Sequence, residues 1–125
     1  MPHLSIRIDF EPSGSALGPG MAQLLERVAE MGSIRRAAMS MDMSYRKDWL
    51  LIQEIQKTFD GAVVTAEVGG VSGGGTRLTE LGVNLLKLYR RVENRAGDAT
   101  RAELELLSAM VRANAAPRRG VRRKK

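Results

Sequence analysis

The chain has 125 residues with no cysteine, and its 20 Lys+Arg against 14 Asp+Glu give a formal net charge of +6. This length fits one domain, or one domain with an arm. The sequence contains no apolar run of the roughly 18 residues that a membrane span requires. The absence of cysteine excludes disulfides, zinc–thiolate sites and cysteine nucleophiles. All of the excess positive charge lies in residues 118–125, so net charge alone does not indicate a nucleic-acid partner for the rest of the chain.

The first predicted elements are two short strands. Apolar and polar side chains alternate in LSIRIDF, which predicts a half-buried strand over 4–10. Ser15-Ala16-Leu17 is expected to return as a second strand after the turn sequence EPSG. The N-terminus MPHLSIRIDF lacks the pattern of a signal peptide, and we expect a cytoplasmic, nucleoid-associated protein.

Three helices are predicted next. Residues 20–31 carry apolar side chains at helical spacing. A second helix is predicted over 34–41 and a third over 45–58, with Ser33 and Ser44 as their N-caps. The apolar residues that we expect to face the core from the three helices are Met21, Leu24, Leu25, Val28, Ala37, Ala38, Trp49, Leu51, Ile52 and Ile55.

A hairpin and further helices follow. Residues 62–68 have strand composition, the glycine-rich 69–75 predicts a flexible tip, and 76–78 predicts the returning strand. The glycine loop does not match a nucleotide-binding P-loop, because Thr76 stands where that motif needs lysine. Helices are predicted over 80–96 and over 99–114, with a break at Gly97-Asp98.

The order strand, helix, helix, helix, hairpin, helix predicts a winged helix-turn-helix, an α+β fold that is mainly α. The predicted division is a DNA-binding domain over 1–96, a C-terminal helix over 97–116 that contributes to dimerisation, and a basic disordered tail over 117–125. The tail either adds sequence-independent affinity for phosphates or only improves solubility.

In a helix-turn-helix, the N-terminal residues of the second helix reach base edges in the major groove, and the first helix crosses the DNA backbone. Cationic and hydroxyl side chains occupy both positions here, and wing glycines would let the backbone approach phosphates. Solvated surface residues are the alternative interpretation, above all for Arg35, Arg36 and Arg77. The predicted DNA-contacting residues are Arg35, Arg36, Ser44, Tyr45, Arg46, Lys47, Gly73, Gly74, Gly75 and Arg77.

Trp49, the single tryptophan, has two interpretations. It either anchors the third helix in the core, which we favour, or offers a stacking surface for an unpaired base. No second aromatic residue lies nearby on that face to support stacking.

Two stretches, GSIRRAAMSMDMSYRKDWLLIQEIQ and AEVGGVSGGGTRLTELG, closely resemble the N-terminal DNA-binding domain of the ModE family of molybdate-responsive transcription regulators. The resemblance covers about residues 4–96 and implies a winged helix-turn-helix related to the LysR type. It also implies a homodimer bound to a two-fold symmetric operator on double-stranded DNA. Apolar residues at heptad-like spacing either form the dimer or pack within one chain, namely Leu81, Leu85, Leu88, Val92, Leu104, Leu107 and Val111.

The sequence departs from the family pattern in three ways. Asp42 stands where the family has its turn glycine, and Val71-Ser72 replace a basic residue of the wing. The family's molybdate-binding domains are not found in the sequence, so we expect no molybdate site in this chain.

The leading expectation is therefore a dimeric transcription regulator without a cofactor or a metal. The alternative is a winged-helix interaction module that docks a separate effector-binding partner through residues 99–114. An enzyme is not expected, because the single histidine, His3, stands at the start of the chain and no paired catalytic carboxylates are evident.

Overall fold

The computed structural model describes residues 3–67 and 75–112. Five helices and four strands lie in this part of the chain, and none of these helices is long and apolar enough to cross a membrane. In chain order the elements are β1 (Ile8–Phe10), β2 (Ser15–Leu17), α1 (Pro19–Met31), α2 (Ile34–Ser40), α3 (Tyr45–Phe59), β3 (Val64–Glu67), β4 (Gly75–Leu78), α4 (Glu80–Ala99) and α5 (Arg101–Ala109).

The N-terminal strands pair antiparallel, with Ile8 opposite Leu17. Half-buried and exposed side chains alternate over residues 4–10 as predicted. The paired strand is confined to Ile8–Phe10, because β2 offers a partner of only three residues. Leu17 packs with Tyr89 of α4 in a small apolar cluster beside the main core. The Phe10 ring meets the Phe59 ring edge to face at 5.6 Å between centroids, which ties this hairpin to the end of α3.

The main core lies between the first three helices and the residue that precedes β3. Helical spacing predicted its α1 and α3 faces, and burial confirms the α1 residues and, on α3, Ile52 and Ile55. The fully buried members are Leu24, Leu25, Val28, Ile34, Ala37, Ile52, Ile55 and Val63, with Met21 and Leu51 packed against them. Ala37 and Ala38 are buried, so their small side chains let α1 and α3 approach α2 closely.

The predicted helix caps are confirmed. Ser33 Oγ accepts a hydrogen bond from the Arg36 amide at 3.1 Å, and Ser44 Oγ accepts one from the Lys47 amide at 3.0 Å. Gly32 ends α1 in the left-handed region with φ 69°. Side-chain oxygens therefore satisfy amides that the first turns of α2 and α3 leave without helical partners.

The turn between α2 and α3 contains a non-glycine residue in the left-handed region. Asp42 has φ 54°, as expected for a residue that replaces the turn glycine. Aspartate tolerates this region better than most residues, although less well than glycine. The corner is closed by the Met43 amide, which donates to the Ala38 carbonyl at 3.0 Å.

The wing is an antiparallel pair with Val64 opposite Leu78. Its β4 strand is fixed against the end of α1, because the Thr76 amide donates to the Gly32 carbonyl at 2.8 Å. A Cβ atom at Gly75 would lie 2.6 Å from the same Gly32 oxygen, so only glycine fits there. The predicted tip, including Val71-Ser72, lies outside the described residues apart from Gly75.

Helix α4 packs on the main core through Leu81 and Leu85 and on the smaller apolar cluster through Tyr89. Buried Gly82 lies so close to the backbone that an added Cβ would be 2.4 Å from the Val63 oxygen. The predicted break at Gly97 was wrong, because α4 continues through Gly97 to Ala99 and ends at Thr100. One glycine weakens a helix by about 1 kcal/mol, which a long helix tolerates. The predicted boundary at residue 97 therefore falls inside α4, and the division into functional domains stays a prediction.

Candidate nucleic-acid interface

The N-terminal ends of α2 and α3 present a cluster of exposed cations. Arg35 and Arg36 lie in the first turn of α2, and Arg46 and Lys47 lie in the first turn of α3. Across residues 3–67 and 75–112, the ion pairs within 4 Å involve other cations. The α2–α3 corner, residues 33–47, is therefore a surface with positive charge that the described chain does not neutralise.

Ser44 lies at the end of α3 that faces this charge. Its Oγ accepts the capping hydrogen bond from Lys47, which leaves the hydroxyl hydrogen available to donate. The N-terminus of a helix also carries partial positive charge. A phosphate next to Ser44 would meet a hydroxyl donor and a favourable helix end together.

Tyr45 and Arg35 contact each other across the corner. Tyr45 is 44% exposed, and the Arg35 guanidinium carbon lies 4.8 Å from the centroid of the Tyr45 ring. This distance lies within the range of a cation–π contact. Two predicted DNA contacts from different helices are thus joined as a pair.

The prediction that Trp49 anchors the core was wrong, because the side chain is 41% exposed. The buried face of α3 runs through Asp48, Ile52 and Ile55, and Trp49 is rotated about 100° from Asp48 around the helix. The tryptophan therefore lies at the margin of the core, on the same side of α3 as Tyr45.

The residue that occupies the buried position is Asp48, which was not predicted. Its side chain is fully buried, and both carboxylate oxygens lack a hydrogen-bond partner within residues 3–67 and 75–112. Burial raises the pKa of the Asp48 carboxyl, and the Lys47 ammonium opposes this shift. The signal in the sequence was the spacing of Asp48 from Ile52 and Ile55, which places all three on one helical face.

The base of the wing gives Arg77 and Gly75 contacts within the chain. Arg77 Nη1 lies 3.3 Å from Glu67 Oε2 across the hairpin, and both side chains are mostly exposed. Such a pair contributes little to stability and leaves Arg77 free to exchange partners. Gly75 packs against Gly32, so it has a structural reason to be glycine. Gly73 and Gly74 lie outside the described residues, and DNA contact by these wing residues stays a prediction.

The predicted dimer residues separate into two groups. Leu81 and Leu85 pack against the core of their own chain, as the alternative interpretation held. Leu88 and Val92 are 56% and 44% exposed and line an apolar cleft of about 200 Å³ between the N-terminal hairpin and α4. On α5, Leu104 is half-buried beside a polar cleft and Leu107 is 60% exposed, and Val111, two residues after the helix ends, is 62% exposed.

The chain is similar to known proteins in both sequence and structure. No protein-family model matches the chain. The ModE molybdenum transport protein of Herbaspirillum seropedicae is 40% identical over 72 residues, which cover 58% of this chain and 27% of that protein. The DNA-binding transcriptional dual regulator ModE of Escherichia coli is 35% identical over 71 residues, covering 57% and 27%. The molybdenum-pterin-binding protein MopB of Rhodobacter capsulatus is 35% identical over 84 residues, covering 67% and 31%.

The resemblance to the ModE family is confirmed. The matched region spans less than a third of the length of these ModE relatives and lies in their N-terminal part. In structure, the chain is similar to full-length CbnR, which was solved in complex with its target DNA. That similarity has a TM-score of 0.51 at 23% identity and covers 66% of this chain and 28% of CbnR. It confirms the predicted fold, a mainly helical winged helix-turn-helix.

Proposed function

We propose that this protein is a transcription regulator that binds a two-fold symmetric site on double-stranded DNA as a homodimer. The observation that carries the proposal is the cation cluster of the α2–α3 corner. Four exposed cations without an ion pair in the described chain stand at the ends of the two helices that a helix-turn-helix brings to DNA. Positive charge left unneutralised by the protein fits a polyanionic partner.

Helix α3 is the reading helix in this proposal. The major groove admits an α-helix, and arginine pairs bidentately with guanine O6 and N7. Arg46 is the residue that we assign to this contact, because it is exposed in the first turn of α3. Ser44 and Lys47 contact phosphates beside the reading helix, and Arg35 and Arg36 contact the backbone from α2. The wing, with Arg77 at its base, contacts the neighbouring sugar-phosphate chain.

Dimerisation is assigned to the exposed apolar residues of α4 and α5. Leu88 and Val92 sit one helical turn apart on α4, exposed on either side of the buried Tyr89 in the sequence. Two copies related by a two-fold axis would cover the same residues on each other. Such a dimer would present two α3 helices to half-sites about 34 Å apart, one turn of duplex.

The proposal covers DNA binding and dimerisation, and it does not extend to molybdate. The names of the ModE relatives refer to transport and regulation by much longer proteins, and the similarity lies in less than a third of their length. We propose a non-enzymatic, cytoplasmic role, in keeping with E. coli ModE, which is described as a DNA-binding regulator.

Selection of duplexes from a random pool, followed by sequencing, tests the proposal. It is done at two salt concentrations with the wild-type chain and Arg46→Ala. We expect a two-fold symmetric sequence to be enriched, and the variant to lose discrimination at one base pair in each half-site, by about 1–3 kcal/mol. Lys57→Ala is the matched control, because Lys57 is an exposed cation in the last turn of the same helix. Enrichment unaffected by Arg46→Ala would refute the assignment of α3 as the reading helix.

A second candidate function rests on α5. This helix has no buried residue; its Leu106 and Leu107 are 67% and 60% exposed, and Met110 at its C-cap is 79% exposed. A face of this kind fits a protein partner as well as a second copy. If α5 docks a protein partner and α3 does not read DNA, no duplex sequence should be enriched from the random pool, and wild type and Arg46→Ala should bind it equally.

A further inference from the structure

The contact between Arg35 and Tyr45 joins the two helices of the DNA-binding corner at their exposed ends. Arg35 is the second residue of α2, and Tyr45 is the first residue of α3. Their side chains meet at 4.8 Å although nine residues, which include the turn at Asp42, separate them along the chain. Both side chains are exposed, so the contact is part of the surface rather than of the core.

A guanidinium on an aromatic face keeps its hydrogen-bonding ability. The attraction acts through the planar face of the group, while its N–H donors lie in the plane at the edge. Arg35 has no salt bridge to an acidic residue in the part of the chain that the structure describes. The ring of Tyr45 therefore restricts a long, flexible side chain without using the donors that would bind a phosphate.

Restriction before binding changes the affinity for DNA. A free arginine side chain loses rotamer entropy when it is immobilised, and a pre-oriented one loses less. The backbone of Tyr45 is fixed, because the residue belongs to the capped first turn of α3. It can therefore serve as a platform for a residue of the neighbouring helix.

We propose that Tyr45 is a positioning residue that holds Arg35 for contact with a DNA phosphate, and that it does not read a base itself. This inference rests on the proposed DNA-binding function and changes the role of one predicted contact. Tyr45 contributes to affinity through Arg35 and is neutral to sequence. Arg35 and Tyr45 behave as one unit, while Arg36, the next residue in the chain, acts independently of Tyr45.

A double-mutant cycle on DNA affinity tests the unit. The variants are Arg35→Ala, Tyr45→Ala and the pair together, measured by fluorescence anisotropy on the selected duplex and on a random duplex of equal length. We expect Tyr45→Ala alone to weaken binding about threefold to thirtyfold on both duplexes. In the Arg35→Ala background the same change should have less than about a twofold effect. Tyr45→Phe keeps the ring and should bind like wild type.

The matched cycle uses Arg36→Ala with Tyr45→Ala. Arg36 has the same charge and exposure but no contact with the Tyr45 ring, so the effects of these two changes should multiply. The salt dependence gives a second readout. Arg35→Ala should lower the slope of log affinity against log salt by about 1, as expected for one lost phosphate contact. Tyr45→Ala should lower this slope in the same direction and leave the enriched sequence unchanged.

The outcomes separate this inference from the proposed function. Multiplicative effects in the Arg35–Tyr45 cycle, or a new base preference in Tyr45→Ala, would overturn the positioning role while leaving the protein a sequence-specific DNA binder. Loss of binding in Tyr45→Phe equal to that in Tyr45→Ala would assign the effect to the hydroxyl and also overturn it. Sequence-blind binding by the wild type would refute the proposed function, yet coupling on the random duplex would still support the Arg35–Tyr45 unit. A chain that binds no duplex refutes both.

Discussion

The α2–α3 corner and the α4–α5 helices distribute charge and apolar surface in opposite ways. In the corner, the cations Arg46 and Lys47 are exposed without ion pairs in the described chain, and the carboxylate of Asp48, the next residue, is buried. In α4–α5, apolar side chains such as Leu107 are exposed, and some of the charged groups are paired. Arg90 lies 2.7 Å from Glu26 and 2.8 Å from Glu93, and Arg101 lies 2.8 Å from Asp98.

The difference indicates two surfaces suited to two kinds of partner. Scattered exposed apolar residues are normal on a protein surface, but a continuous helical face of them marks an interface with another protein. A cation without an ion pair attracts anions over a longer range than a cation that is already paired with a carboxylate. We therefore assign DNA to the corner and a second copy of the chain to α4–α5.

The largest effect is expected from charge placed in the apolar strip of α4. Leu88→Asp combined with Val92→Asp would bury unpaired carboxylates in the proposed dimer, at a cost of about 3–5 kcal/mol or more. Dimer formation should be lost in sedimentation measurements. Affinity for the two-fold symmetric site should then fall at least about 100-fold, because each half-site is bound separately.

Lys87→Asp is the control for this experiment. It places the same carboxylate on an exposed position of α4 whose direction differs by more than 90° from the strip. We expect it to leave the dimer intact. A doubly substituted chain that still sediments as a dimer would show that the apolar strip of α4 is not the interface and would direct the search to α5.

A smaller effect, on stability, is expected from removal of the buried carboxylate next to the corner. Asp48→Ala eliminates two carboxylate oxygens that have no hydrogen-bond partner in the described chain, and it should raise the free energy of unfolding by about 1–3 kcal/mol at pH 7. Chemical denaturation followed by circular dichroism measures this. Glu54→Ala, at an exposed position of the same helix, should change stability by less than about 0.5 kcal/mol.

The pH dependence of the same variant has a definite sign. Burial raises the pKa of Asp48 above its ordinary value of 3.8, so the folded state holds the proton more tightly than the unfolded state. The wild type is therefore favoured below the ordinary pKa, and it loses this stability as the pH rises through the raised pKa of the folded state. The advantage of Asp48→Ala should be small at pH 3 and should grow with rising pH. A difference in stability that is the same at pH 3 and pH 7 would contradict a buried, titrating Asp48.

The sequence predicted a buried Trp49, but the structure buries Asp48 instead, and this difference shows which features the sequence alone could predict. Caps such as Ser33, Ser44 and Gly32 were predicted correctly because they depend on one residue and the backbone next to it. Helical spacing also identified the buried face of α3. Spacing did not identify the centre of that face. Adjacent residues are about 100° apart around a helix, and the choice between Asp48 and Trp49 was made by hydrophobicity, which favoured the tryptophan. The tertiary packing of α3 buries Asp48 instead.

Contacts between distant parts of the chain could not be predicted from the sequence either, because the tertiary structure decides which residues meet. The pairing of Arg77 with Glu67 depends on the register of the wing, and that of Arg90 with Glu26 depends on how α4 crosses α1. The contact of Arg35 with Tyr45 depends on the geometry of the turn at Asp42. Each of these residues was visible as a charged or aromatic side chain, but its partner was set by the fold.

The smallest effect is expected at the turn of the corner. Asp42→Gly relieves a left-handed backbone, and the gain in folded-state energy is partly offset by the greater freedom of glycine in the unfolded chain, so stability should rise by about 0.5 kcal/mol. The change also removes an exposed carboxylate from the cationic corner. Affinity for DNA should rise about two- to fivefold, more at low salt than at high salt.

Asp60→Gly separates these two effects. Asp60 is the other non-glycine residue with positive φ in the described chain, at 52°, but it caps the opposite end of α3. A helix of this length places it about 22 Å from the corner, which is more than two Debye lengths at physiological salt. We expect the same gain in stability from Asp60→Gly and no gain in DNA affinity. Equal gains in affinity from both variants would mean that the DNA does not approach the α2–α3 corner more closely than it approaches the far end of α3, and the assignment of the two surfaces would have to be revised.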